Sequence, residues 1–320
     1  MNENIIGINS SKGNKIRKLL KGELGLILIL VVMLLVFSFL SPYFFTSRNL
    51  LNITRQVSIT LIVAIGMTFI ILTGEIDLSV GSVAALVGVA TAFTLKQTGS
   101  IFVAILVGIC FGAVLGLING VITVYGKVQS FIVTLAMLGI ARGIALVWTN
   151  GKPISQLPAN FSAMGAGYIG PVPISTIIAA CVFIAAYFYL NKTKHGVYIK
   201  SIGANREAAK LSAIPVNKYR LLVFIIIGCL AALGGIVTTS RLLSAQPTAS
   251  EGLEMSVIAA VILGGASLSG GVGTVLGTLL GAMLIGVIDN GMNLIGVSSF
   301  FQQIVKGVII LVAVLAKREN

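Results

Sequence analysis

Two carboxylates, Glu75 and Asp77, interrupt apolar sequence within Gly74-Glu75-Ile76-Asp77-Leu78-Ser79-Val80-Gly81. A carboxylate at membrane depth costs about 2.5–3.5 kcal/mol on insertion scales, so it usually faces a pathway or a partner. Asp77 and Glu75 have the chemistry to relay a proton or sodium ion. Asp77 could equally cap the helix that follows, with Ser79 helping. The motif has an echo in Gly264-Gly265-Ala266-Ser267-Leu268-Ser269-Gly270-Gly271, which keeps the glycine, leucine, serine and glycine at matching places. Small residues and an unpaired polar run break a helix in lipid. Such backbone survives only where protein covers it or where it lines a wet cavity.

A second polar island runs from Gly203 to Pro215. Asn205 is a suitable N-cap, Glu207 suits the positive end of a helix dipole, and Lys210 lies toward the other end. Ile214-Pro215 is a stop, because the residue before proline disfavours the α region. The stretch reads as one short helix that needs a partner, or as a solvated loop with a single helical turn.

Other chemistry finds no constellation. His195 is the sole histidine and lies in a basic loop, which argues against a metal cluster or a Ser-His-Asp triad. Cys110, Cys181 and Cys229 each sit in an apolar run and read as packing residues. The nearest approach to a phosphate-binding loop, Gly120 to Lys127, has the wrong glycine spacing and Val128 where Ser or Thr is needed. The expectation is no catalytic site, no metal and no nucleotide hydrolysis by this chain.

The elements that must position these residues are membrane helices. The chain has 320 residues, 57% of them hydrophobic and 10% charged. Its mean hydropathy is +1.05. That composition predicts an all-α polytopic membrane protein. Apolar segments fall at 24–45, 57–73, 77–95, 99–125, 129–149, 171–190, 219–240, 254–267, 270–290 and 300–316. A span needs about 20 residues, so 57–73 is short and 254–267 must be bent, broken or re-entrant. The expected layout is a tail over 1–23, one transmembrane domain over 24–316 with a loop at 191–218, and a tail over 317–320. With the N-terminus in the cytoplasm and ten alternating spans, fifteen Lys and Arg fall inside and five outside. The positive-inside rule then puts both termini and the 191–218 loop in the cytoplasm. The net charge of +13 is an orientation signal and calls for no nucleic acid. Six segments separate the two echoing motifs, which suggests two half repeats of like orientation.

Gly108, Gly112, Gly116 and Gly120 recur every fourth residue, as do Gly273, Gly277 and Gly281. Each set is a smooth ridge that lets a neighbouring helix approach. Arg142 and Lys306 fall inside spans and read as internally paired in preference to solute contacts. Arg48, Arg55, Lys152 and Arg241 defy the positive-inside trend. They contact lipid headgroups or receive an acidic partner.

These stretches, with Ser244-Ala245-Gln246-Pro247-Thr248-Ala249, Asn290-Gly291-Met292-Asn293-Leu294 and Gly296-Val297-Ser298-Ser299-Phe300-Phe301-Gln302, carry a likeness over nearly the whole chain after the N-terminal tail. The chain resembles the membrane-spanning permease subunit of bacterial ABC sugar importers, most closely the branch that contains the ribose permease. The resemblance implies a non-enzymatic pore in the bacterial inner membrane. It implies a homodimer or paired permease copies, cytoplasmic ABC ATPases that bind the ATP, and a periplasmic or lipid-anchored sugar-binding protein. Asn205, Arg206, Glu207, Ala208, Ala209 and Lys210 then form the helix that couples to the ATPase. Asp77, Ser79, Ser267, Ser269, Asn290 and Asn293 become pathway or gate residues, and Arg48, Arg55, Lys152 and Arg241 the docking face. Glu75 departs from the Gly-Gly-Ile-Asp usual in the family. It alters the ionisation of Asp77 or faces water. The competing reading, an ion-coupled secondary transporter using Asp77, would not need the 203–215 helix.

Overall fold

The computed structural model describes residues 23–318. Most of the expected 1–23 tail and the last two residues of the 317–320 tail lie outside this range. The helices in chain order are α1 (Glu23–Leu40), α2 (Ser47–Leu72), α3 (Val80–Thr98), α4 (Ile101–Val124) and α5 (Ser130–Thr149). A 3-10 turn (Ala159–Ser162), the short α6 (Ala163–Ala166) and a hairpin of β1 (Tyr168–Ile169) and β2 (Val172–Pro173) follow. Then come α7 (Ile174–Lys192), α8 (Lys194–Ala204), α9 (Arg206–Leu211), α10 (Val216–Leu242), α11 (Leu253–Leu263), α12 (Val275–Leu294) and α13 (Ser299–Arg318). Every one of the ten apolar segments carries a helix. Among the described residues, eight helices are long and apolar enough to cross a membrane, and two shorter apolar helices, Leu253–Leu263 and Ser299–Leu315, accompany them.

Two segments differ from the hydropathy reading. The 57–73 run is only the far part of a 26-residue helix that starts at Ser47. Thr46 caps that helix through Oγ1, which accepts from Asn49 N–H. The polar first turns are held by tertiary bonds that a hydropathy scan does not see. Asn49 Nδ2 donates to Phe44 O and to Asn290 Oδ1, both at 2.9 Å. The 254–267 run yields an eleven-residue helix that stops at Gly264. At about 1.5 Å per residue it covers roughly half the hydrocarbon thickness. The 150–170 loop also adds a small sheet to an otherwise helical fold.

At the centre is α10, packed on α2, α3 and α4. Its approach to α4 runs along the glycine ridge. A Cβ at Gly112 would stand 2.6 Å from Gly228 O, and one at Gly116 would strike Phe224 O. The second ridge is used the same way, since Cβ atoms at Gly277 and Gly281 would strike Gly264 O and Ala260 O of the α11 segment. These contacts are backbone against backbone, the close approach that small residues permit. Large apolar side chains on α1, α4, α5, α7 and α13 point outward, the surface expected against lipid tails.

Candidate functional site

The two echoing motifs touch in space. Gly271 N–H donates to Leu72 O at 3.0 Å. A Cβ at Gly270 would lie 3.0 Å from Gly74 N, and one at Gly74 would lie 3.5 Å from Ser269 O. Both turns use left-handed backbone, with φ +76° at Gly74 and +74° at Gly271, where glycine carries no steric penalty. The end of α8 closes the junction. A Cβ on Gly203 would collide with Leu72 O and Gly271 N together. Ser267 and Ser269 pair through their hydroxyls at 2.8 Å on the same loop.

Asp77 is buried just before α3. Its Oδ1 accepts from Ser79 N–H at 2.8 Å and Ser79 Oγ at 2.6 Å. Asn119 Nδ2 of α4 donates to Ser79 Oγ at 3.0 Å. The irregular backbone between α2 and α3 takes hydrogen bonds from α5. Ile76 N–H donates to Ser130 Oγ at 3.2 Å, and Leu78 N–H to Thr134 Oγ1 at 3.1 Å. A broken helix thus survives because a neighbouring helix supplies its partners.

Glu75 is held by cations from two other elements and lines a cavity of about 720 Å³ with them. It is buried, and its Oε1 accepts from Arg220 Nε (2.9 Å), Arg220 Nη2 (2.6 Å) and Arg206 Nη2 (3.0 Å). Arg206 also reaches Thr73 O at 3.4 Å. The 205–212 stretch is the expected helix, α9, with Asn205 Oδ1 accepting from Ala208 N–H at 3.0 Å. Glu207 and Lys210 pair at 2.6 Å on its open face, Ala208 is exposed beside them, and Ala209 packs inward. Leu211 is 90% exposed at its end.

Asn290 and Asn293 do not join this junction. They lie at the opposite end of α12 from Gly273 and Thr274. Asn290 bonds reciprocally with Asn49 of α2, at 2.9 Å each way. Asn293 Oδ1 accepts from Gln302 Nε2 of α13 at 2.8 Å and lines a cavity there. Arg48 and Arg55 share another cavity of about 710 Å³ with Tyr168. Arg55 stacks 4.4 Å above that ring and donates to Ala166 O at 2.9 Å. Arg241 Nη2 reaches Asn52 Oδ1 at 3.3 Å. Lys152 stands exposed on the loop that follows α5.

Both cations inside spans find internal partners. Arg142 Nη1 donates to Pro247 O (2.5 Å) and Ala249 O (2.9 Å), which ties the 244–252 segment back into the bundle. Lys306 Nζ pairs with Asp289 Oδ2 at 2.9 Å. Asp289 and Glu254 escaped the sequence reading. A carboxylate inside the 270–290 apolar run was the available signal for Asp289.

The model of the family described as "Branched-chain amino acid transport system / permease component" matches residues 49–314. The ribose import permease protein RbsC of Escherichia coli K12 is 46% identical over 298 residues, covering 92% of this chain and 93% of that protein. Its Bacillus subtilis namesake is 45% identical over 300 residues, 93% of each chain. The L-arabinose transport system permease protein AraH of E. coli K12 is 36% identical over 298 residues, 92% of this chain and 90% of the relative. No solved structure matches the chain. The break before α3, its echo after α11 and the capped α9 are thus features of a membrane permease, and the chain belongs to the family of branched-chain amino acid transport system permease components.

Proposed function

We propose that this chain is the pore subunit of an ATP-binding-cassette importer that moves a monosaccharide, ribose, into the bacterial cytoplasm. The near-full-length likeness to RbsC proteins supports the sugar. Two copies of the permease form the pore in the inner membrane, with both termini in the cytoplasm. ATP is bound and hydrolysed by partner ATPases, and a periplasmic or lipid-anchored binding protein delivers the sugar.

One observation carries the mechanism. The capped segment is joined to the broken motif, through Arg206 on Glu75 and through Gly203 seated against Leu72 and Gly271. A push on Asn205–Lys210 from an ATPase therefore reaches both breaks at once. The hydrogen bonds from Ser79 to Asp77 and from Asn119 to Ser79 hold the closed position of the gate. Tilting α3 against α4 would strain them, and Ser267 and Ser269 ride on the matching break. Asn290 and Asn293 lie toward the outer mouth. Arg48, Arg55, Lys152 and Arg241 meet carboxylates on the rim of the binding protein.

The test is Glu207→Arg in the assembled importer. The variant is expected to stay in the membrane and to lose ribose uptake driven by ATP. Normal uptake would remove α9 from the coupling path. Reversing the charge of Arg48 and Arg55 should depress uptake most at low binding-protein concentration, and unchanged uptake there counts against docking.

A further inference from the structure

The cavity of about 720 Å³ beside Glu75 lies between the α4–α5 turn, α9, the start of α10 and the break after α2. That volume falls in the roughly 300–1,000 Å³ range of small-molecule sites. Four cations line it, Lys127, Arg206, Lys210 and Arg220, against two carboxylates, Glu75 and Glu207. Two positive charges are left over. We propose that this cavity binds a phosphate group, which carries a charge of about −1.5 to −2 at pH 7 as a monoester and so matches the surplus. The ligand is an anion, distinct from the sugar moved in the transport reading, and its binding does not depend on that reading.

The carboxylates in the cavity are already engaged. Glu75 Oε1 accepts from both arginines, and Glu207 pairs with Lys210 at 2.6 Å. Many of the donors are not. Arg220 spends Nε and Nη2 on Glu75 and keeps Nη1, while Arg206 spends Nη2 and keeps Nε and Nη1. None of these three nitrogens is among the buried atoms that lack a partner, so solvent reaches them. Lys127 is exposed and makes no ion pair or side-chain hydrogen bond among the described residues. Buried Arg220 thus shares a single counter-charge with Arg206, where a buried charge ordinarily has a partner of its own. A phosphate offers three acceptor oxygens, and guanidinium forks take them two at a time. A lone carboxylate has two oxygens and one charge, which would leave one cation over.

The backbone at Lys127 agrees. It is held at φ +56°, a left-handed conformation that burdens any residue with a Cβ and is usually left to glycine or asparagine. Strain of this kind collects at functional positions, and here it fixes a free amine on the cavity wall. A phosphate bridging Lys127, Arg206 and Arg220 would tie the α4–α5 turn to α9 and α10. In the transport reading that restrains the coupling helix. A soluble phosphate ester and the headgroup of an anionic phospholipid present the same group, and basic pockets between membrane helices on the cytoplasmic side take such headgroups.

The test is equilibrium binding of radiolabelled inorganic phosphate to the purified full-length permease in neutral detergent at fixed ionic strength. A single saturable class of site is expected. Lys127→Asn removes the charge and keeps a residue suited to left-handed backbone, so it should fold, and it should raise the half-saturating concentration about tenfold. Lys127→Arg should bind like the parent. Lys218→Gln, at an exposed cation outside the cavity, should change nothing. Nanodiscs with and without phosphatidylglycerol distinguish the sources. Displacement of phosphate by that lipid assigns the site to a headgroup, and undisturbed binding assigns it to a soluble phosphate. No saturable binding, or equal weakening in Lys127→Asn and Lys218→Gln, would overturn the site. Acetate displacing phosphate at equal concentration would overturn it too, because any carboxylate, including one on a partner protein, would then suffice. Ribose uptake by the native complex is measured separately, and its failure would remove the transport reading without touching the site.

Discussion

Arg220 grips Glu75 with two nitrogens on one oxygen, Nε at 2.9 Å and Nη2 at 2.6 Å to Oε1. The contact crosses from the first turns of α10 to the break between α2 and α3. Both side chains are buried, and Arg206 is the only other cation on Glu75 among the described residues.

Removing one member of a buried pair costs about 3–5 kcal/mol, because the survivor is left uncompensated. Glu75→Ala is therefore expected to lower the thermal midpoint of the purified permease in detergent. Glu75→Ala combined with Arg220→Met should regain part of the loss. A single variant as stable as the parent would show that the pair contributes nothing.

Gly203→Ala adds one methyl where two backbones already meet. Overpacking of this kind costs about 1–3 kcal/mol. The variant should reach the membrane and transport slowly, because the junction is held apart. Cross-linking between cysteines placed at Thr73 and Ser269 should fall in the same variant. Undiminished uptake would mean that the junction tolerates separation.

Asn290→Leu removes both bonds to Asn49 and leaves that amide short of a partner in the bundle. Interhelical hydrogen bonds in membranes are each worth about 0.6–1.7 kcal/mol. Loss of two should be visible as a reduced midpoint, with Asn49→Leu/Asn290→Leu closer to the parent than either single change. Additive losses in the double variant would rule out direct coupling.

Lys306→Ala strands the Asp289 carboxylate, while Lys306→Ala/Asp289→Ala removes both charges. A coupling energy of about 0.5–3 kcal/mol is expected from the double-mutant cycle, as for residues in direct contact. Zero coupling would indicate that the 2.9 Å contact is not maintained in the bilayer.

What the sequence made legible followed from local physics. Apolar length marked all ten segments, and the Asn205 cap depends on a residue only three positions away. The short 254–267 run was recognised as broken because too few apolar residues remain to cross hydrocarbon. The polar start of α2 was missed because its support comes from Asn290, 241 residues distant. The role of Glu75 was hidden for the same reason, with Arg206 and Arg220 lying 131 and 145 residues away. Of the six pathway candidates, Ser267 and Ser269 sit at the junction and Asp77 and Ser79 are bonded to one another just beyond it, while Asn290 and Asn293 serve the far end of α12. Type and spacing could nominate these residues but could not sort them by depth.

Side-chain contacts have slack, since a rotamer can swing before load is transferred. At Gly203 there is none to take up, because main chain bears on main chain at Leu72 and at Gly271. The α8 backbone thus abuts both breaks, at Leu72 and at Gly271. Any load on α8 would therefore meet main chain before side chain.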